Sequence, residues 1–187
     1  MSNTGLVYVF TGEGKGKTSA ALGVATRSLL LGKRVVWVAL YKQRSWGLSE
    51  AKLQEKFSNL EMYFGGKGFR IGRKTAPVGT AGHVVVDTAS EEEHKLSALE
   101  TFARAQSSLA SQPFLLVIDE VLNAVSDGLI DIESVIVLLE KRRDTHILLT
   151  GRGATSELVK RVDLVTECKK IKHPYDTGRL AVAGLDF

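Results

Sequence analysis

Thr11-Gly12-Glu13-Gly14-Lys15-Gly16-Lys17-Thr18 is the stretch that decides the fold. It follows an apolar run, Leu6 to Phe10, that reads as a β-strand, and it opens a stretch with helical character, Thr18 to Leu31. Between a strand and a helix, a glycine-rich run ending in Gly-Lys-Thr reads as a phosphate-binding loop. The glycines let successive backbone N–H groups turn toward one concavity without side-chain clashes. The helix N-terminus adds a partial positive charge and Lys17 a full one. The Thr18 hydroxyl suits a Mg²⁺ ligand. The candidate nucleotide ligands are therefore Gly12, Glu13, Gly14, Lys15, Gly16, Lys17, Thr18 and the following Ser19. Thr11 stands where the pattern G-x-x-x-x-G-K-[ST] normally begins with glycine.

Outward from this loop, apolar runs rich in β-formers alternate with helical patterns. Arg34 to Leu40, Leu60 to Phe64, Phe114 to Ile118, His146 to Thr150 and Leu164 to Lys169 read as strands. Their near-continuous apolar character suits a sheet covered on both faces. Gly32 closes the first helix. Ser90 with Glu93 forms a capping box, ahead of an expected apolar face of Leu96, Leu99, Phe102 and Ala103. Asp131 caps a helix with the stripe Ile132, Val135, Ile136 and Leu139, and Thr155 or Ser156 caps a short one. Strands alternating with helices imply parallel βαβ units in a doubly wound α/β sheet. Gly65 to Gly82, rich in glycine and basic residues, reads as a mobile loop.

The second informative stretch is Phe114-Leu115-Leu116-Val117-Ile118-Asp119-Glu120. It places two carboxylates at the carboxyl edge of the sheet, where α/β proteins bind ligands. Asp119 and Glu120 are both candidates to hold Mg²⁺ opposite Thr18, directly or through water. Arg152, between Gly151 and Gly153 after another strand, is free of steric hindrance to reach a phosphate or to stay solvated. Trp46 and Phe69 flank glycines in loops expected near the same edge, where they serve a flat ligand or the core.

Length and composition frame this site. The 187 residues suit one domain spanning 1–187. With 44% apolar and 25% charged residues, disorder is excluded as the main state. No apolar run reaches the length of a membrane span, and Met1 to Thr4 lack the start of a secretory signal. The single cysteine, Cys168, cannot form an internal disulfide and points to a reducing cytoplasm. The net charge of +4 comes from scattered basic residues, so neither nucleic acid nor membrane is an expected partner. Residue chemistry by itself stops at a P-loop nucleotide-binding protein. It leaves open an ATPase, a small-molecule kinase and a non-catalytic regulatory module.

A resemblance carries the reading further. Val9-Phe10-Thr11-Gly12-Glu13-Gly14-Lys15-Gly16-Lys17-Thr18 is similar to the phosphate loop of the CobA-type ATP:corrinoid adenosyltransferases, which also carry threonine at the first position. The likeness continues through Gly32-Lys33-Arg34-Val35, Lys42, Gly66-Lys67-Gly68-Phe69 and Val117-Ile118-Asp119-Glu120. It extends over Gly128-Leu129-Ile130-Asp131, Leu149-Thr150-Gly151-Arg152-Gly153-Ala154, Asp163-Leu164-Val165-Thr166-Glu167 and Lys172-His173-Pro174-Tyr175-Asp176-Thr177-Gly178. It ends on Gly184-Leu185-Asp186-Phe187. The resemblance implies a P-loop NTPase-like three-layer sandwich with a mostly parallel central sheet and helices on both faces.

It also implies a transfer. The Co(I) of a corrinoid attacks the 5′ carbon of ATP and triphosphate leaves. Gly12 to Thr18 and Arg152 would hold ATP, Thr18 and Glu120 with Asp119 beside them would hold Mg²⁺, and Phe69 would pack against the corrin. Lys17, Phe69 and Glu120 take the catalytic roles. A reduced flavoprotein as electron donor and a homodimer are implied as well. Two features depart from the family: its Gly-Phe-Thr-Trp segment reads Gly68-Phe69-Arg70-Ile71, and the stretch from Arg73 to Asp87 is longer.

Overall fold

A computed structural model describes residues 4–68, 78–80, 83–85, 89–182 and 184–185. Its strands are β1 (Val7–Thr11), β2 (Val35–Ala39), β3 (Leu60–Phe64), β4 (Val78–Thr80), β5 (His83–Val85), β6 (Leu115–Asp119), β7 (His146–Thr150) and β8 (Leu164–Glu167). Its helices are α1 (Lys17–Leu30), α2 (Leu53–Lys56), α3 (Glu91–Ser108), α4 (Val121–Ser126), α5 (Ile132–Glu140) and α6 (Ser156–Val159). Six strands form one sheet in the order β3-β2-β6-β7-β1-β8, with every pairing parallel.

Strand periodicity of two divides the core between the sheet's faces. Phe10, Val35, Trp37, Ala39, Leu115, Val117 and Leu148 pack on one face with Ala21, Ala25 and Leu29 of α1. Val7, Val9, Val36, Val38, Leu116, Ile118, Ile147 and Leu149 pack on the other with residues of α3, α4, α5 and α6. The result is the expected α/β sandwich with helices on both faces. Each fully buried aliphatic side chain contributes about 1.5–3 kcal/mol, so these strands supply most of the driving force.

Local signals set most boundaries. Gly32, at φ +70°, closes α1: its N–H donates to Leu29 O and that of Lys33 donates to Ser28 O. Both bonds of the Ser90–Glu93 capping box form. Asp131 and Thr155 cap α5 and α6. The face expected for α3 is corrected by the structure. His94, Ala98, Thr101, Phe102 and Ala105 are buried, whereas Leu96 (59% exposed), Leu99 (45%) and Ala103 face outward. The helix turns its small residues inward because it packs close to the sheet edge: a Cβ on Gly65 would lie 1.9 Å from Thr101 Oγ1. At the end of the span expected as a loop, Gly65 to Gly82, β4 forms and pairs antiparallel with β5 just beyond it. The last strand ends at Glu167 rather than Lys169, because Cys168 turns into the phosphate loop. Phe69, Arg70 and Ile71 lie outside the described residues.

Removing the Phe102 ring should therefore cost about 3–5 kcal/mol, while Leu99→Ala should cost no more than about 1 kcal/mol. Urea unfolding of the two variants checks this, and equal losses would restore the outward leucines to the core.

Candidate nucleotide site

The phosphate loop is shaped by what lies behind it. Cys168 N–H donates to Thr11 O at 2.7 Å, and Gly14 N–H donates to Cys168 O at 2.6 Å. A Cβ on Gly12 or Gly14 would stand 2.6 Å from that same carbonyl oxygen, so side chains are excluded by backbone. Gly12 and Gly16 also adopt φ of +100° and +116°, which favours glycine. Thr11 fits its place because its Oγ1 accepts from Ala154 N–H at 3.4 Å, tying the loop to the 151–154 turn. Glycine at that position would lose the tie.

Lys17 is 8% exposed and donates to Gly12 O at 2.7 Å and Gly14 O at 2.8 Å. Burial pushes its pKa down, against the attraction of Glu120. Lys15 and Ser19 are exposed at the loop and in the first turn of α1. Arg152 reaches the loop too: its guanidinium lies 3.1 Å from Glu13 Oε2, with both side chains more than half exposed. Such a surface pair contributes little and exchanges readily for a phosphate contact.

β7 lies between β1 and β6, so Thr150 separates the phosphate loop from the acids. Asp119 is fully buried. Its Oδ1 accepts from Thr150 Oγ1 at 2.6 Å and from Thr18 Oγ1 at 3.0 Å. Its Oδ2 pairs with Lys42 Nζ at 2.9 Å, and Lys42 pairs in turn with the buried Glu50 at 2.9 Å. Burial opposes the Lys42 charge, but Asp119 and Glu50 outweigh it and raise its pKa.

Glu120 is held differently. It caps α4 at φ +63°, a strained conformation for a non-glycine residue. Its N–H donates to Thr150 Oγ1 at 2.8 Å, and its carboxylate accepts from the Asn123 amide. Asn123 Oδ1 also accepts from Arg152 N–H at 2.6 Å, joining the acid to the arginine turn. The structure thus brings together Thr18, Asp119, Glu120, Lys17 and Arg152. Lys42, Glu50, Asn123 and Thr150 complete the arrangement, although none was singled out as a site residue from the sequence. Among the described residues no cluster of three or more His, Cys, Asp or Glu could hold a metal. One hydroxyl and one or two carboxylates are instead the protein's usual share of a Mg²⁺–phosphate site.

The sequence matches the family described as ATP:corrinoid adenosyltransferase BtuR/CobO/CobP over residues 3–187. It is 30% identical over 185 residues to the corrinoid adenosyltransferase of Escherichia coli (strain K12), covering 98% of this chain and 86% of that protein. It is 32% identical over 187 residues to the corrinoid adenosyltransferase of a Sinorhizobium species, covering 98% and 80%. This chain belongs to the ATP:corrinoid adenosyltransferases. Among solved structures, a KaiC-like protein from Pyrococcus horikoshii is similar over 89% of this chain and 73% of its own. Its TM-score is 0.45 and its identity 16%.

In this adenosyltransferase the two neighbouring acids are electrically unequal. Asp119 is compensated by Lys42 and two hydroxyls. Glu120 is pushed up to about 7, by burial first and by the Asp119 charge second. A half-buried acid beside a second carboxylate is a candidate to hold a cation.

The shift has a sign that can be measured. A folded-state pKa above the unfolded value means that ionising Glu120 opposes folding; the penalty is absent at low pH and grows as pH rises toward and past 7. Glu120→Gln should therefore raise the urea midpoint of the free protein at about pH 8, and the gain should vanish below about pH 4.5. A gain independent of pH would mean that Glu120 is not the group being titrated.

Proposed function

We propose that the reaction runs on this chain as follows. The Co(I) of the bound corrinoid attacks C5′ of ATP, the cobalt–carbon bond forms, the C5′–O5′ bond breaks and triphosphate leaves with the bonding pair. The observation that carries this reading is the family match across residues 3–187. The phosphate cradle, with Lys17 at its centre, is consistent with it.

The nucleophile belongs to the substrate, so the protein's work is positioning and charge stabilisation. Backbone N–H groups of the 12–16 loop other than that of Gly14, which Cys168 O takes, are offered to the triphosphate, with Glu13, Lys15 and Ser19 at the rim. Lys17 exchanges the carbonyls of Gly12 and Gly14 for phosphate oxygens. Arg152 leaves Glu13 to join them. Thr18 and Glu120 would hold Mg²⁺, with Asp119 orienting Thr18 from behind; the ion, when bound, supplies neutralisation of the leaving triphosphate. Phe69 packs on the corrin and keeps water or base from the cobalt. This raises the Co(II)/Co(I) potential into reach of a reduced flavoprotein.

The reading places one domain, 1–187, in the cytoplasm, with no nucleic acid or membrane as partner. Among the described residues, no helix is long and apolar enough to cross a membrane. The enzyme works as a homodimer in this reading. Support comes from the edge strand β8, whose Val165 is 39% exposed, and from Ile171 beyond it, 85% exposed.

Anaerobic incubation with ATP, Mg²⁺ and chemically reduced cobalamin tests the activity. The expected products are the cobalt–carbon spectrum and triphosphate; ADP with phosphate would instead identify an ATPase or kinase. Lys17→Ala should weaken ATP binding by roughly tenfold to a hundredfold while the protein still unfolds cooperatively. Unchanged affinity by titration calorimetry would remove Lys17 from the site. Phe69→Ala should slow turnover from Co(II) far more than turnover from supplied Co(I), with ATP affinity preserved. Equal losses from both would reduce Phe69 to a packing residue.

A further inference from the structure

Trp46 takes no part in the ATP site described above. It ends the 3-10 turn Arg44–Trp46, which follows β2 at the sheet edge that carries the phosphate loop. The indole is half-buried, and Trp46 is not a member of either core cluster of the described residues. A Cβ on Gly68 would meet its six-membered ring at 3.5 Å, so the ring lies over the residue that precedes Phe69.

The turn is enclosed by an ion pair between residues on either side of it, Lys42 and Glu50. Trp46 N–H donates to Gln43 O at 3.1 Å, and Leu48 is 5% exposed. Glu50, 7% exposed, pairs with Lys42, and Lys42 pairs with Asp119, whose other oxygen takes the Thr18 and Thr150 hydroxyls. Burying three charged groups carries a desolvation cost that a hydrophobic replacement would avoid. What the ion chain adds is position: it indexes a half-exposed aromatic ring to the residue that orients Thr18. An aromatic wall beside a phosphate site suits a large conjugated ring with apolar faces.

We propose that Trp46 is a binding residue for the corrinoid, forming a wall of its pocket beside Gly68, and that Glu50 and Lys42 are its positioning residues. The proposal rests on the adenosyltransferase reading and adds a residue to its second-substrate side.

The test uses equilibrium dialysis of cob(II)alamin against the ATP-saturated protein, together with KM for each substrate. Trp46→Ala should weaken cobalamin binding and raise its KM by roughly tenfold, as expected for loss of a ring contact. ATP affinity by calorimetry should stay within about twofold of the parent, and Trp46→Phe should recover most of the loss. Glu50→Gln, which leaves the Lys42–Asp119 pair in place, should show the same split: cobalamin KM up several-fold, ATP affinity little changed, urea midpoint retained. A parent protein that makes adenosylcobalamin while Trp46→Ala binds cobalamin equally well would overturn the inference alone. Equal effects on both substrates in Glu50→Gln would reduce the ion chain to a structural support. A parent that binds no cobalamin would overturn the inference and the adenosyltransferase reading together.

Discussion

The carboxylate of Asp119 has no solvent contact, and the site end of the molecule is organised around that fact. A buried carboxylate is tolerable only when opposite charge and hydrogen-bond donors meet its oxygens. Here the donors come from separate parts of the chain: Thr18 from α1, Thr150 from β7 and Lys42 from the segment after β2. Satisfying one acid therefore draws three elements to one point. The parallel register makes this possible, pairing Ala39 with Asp119, Ile118 with Leu149 and Phe10 with Thr150, so the carboxyl ends of the strands finish nearly level.

This arrangement also separates the roles of two adjacent acids. The strand puts successive side chains in different directions, and the left-handed backbone at Glu120 turns the second acid away from the first. Asp119 becomes an orienting group already compensated by Lys42. Glu120 is attracted by Lys42, Lys17 and Arg152, but burial and the Asp119 charge outweigh them, and its carboxylate takes an amide donor from Asn123.

The phosphate loop illustrates the same economy of backbone. Its glycines serve two constraints at once, because a side chain on Gly12 or Gly14 would meet the Cys168 carbonyl, and that same carbonyl takes the Gly14 N–H. The strand that ends at Glu167 thus has a task beyond completing the sheet: its continuation braces the loop. The 151–154 turn braces it from another side, through Thr11 and Ala154.

Much of this was legible in the sequence because the signals are local. A Gly-Lys-Thr run between a strand and a helix, Ser90 with Glu93, Asp131 and Gly32 each act through neighbours a few residues away, and each took its expected place. The all-apolar strands announced a sheet covered on both faces. The inward face of α3 was not legible, because alanine and threonine win over leucine only when the helix must approach the sheet closely. Lys42, Glu50 and Thr150 were invisible as a unit for a related reason. They stand 77, 69 and 31 residues from Asp119 along the chain (119 − 42, 119 − 50 and 150 − 119), with no shared motif. Only the order of strands, with β7 placed between β1 and β6, brings them to one buried charge. Sequence determined which chemistry is present, since side-chain type and local spacing are written in it; tertiary structure decided which of the two carboxylates is paired with Lys42 and fully buried, since burial and long-range pairing exist only in the folded chain.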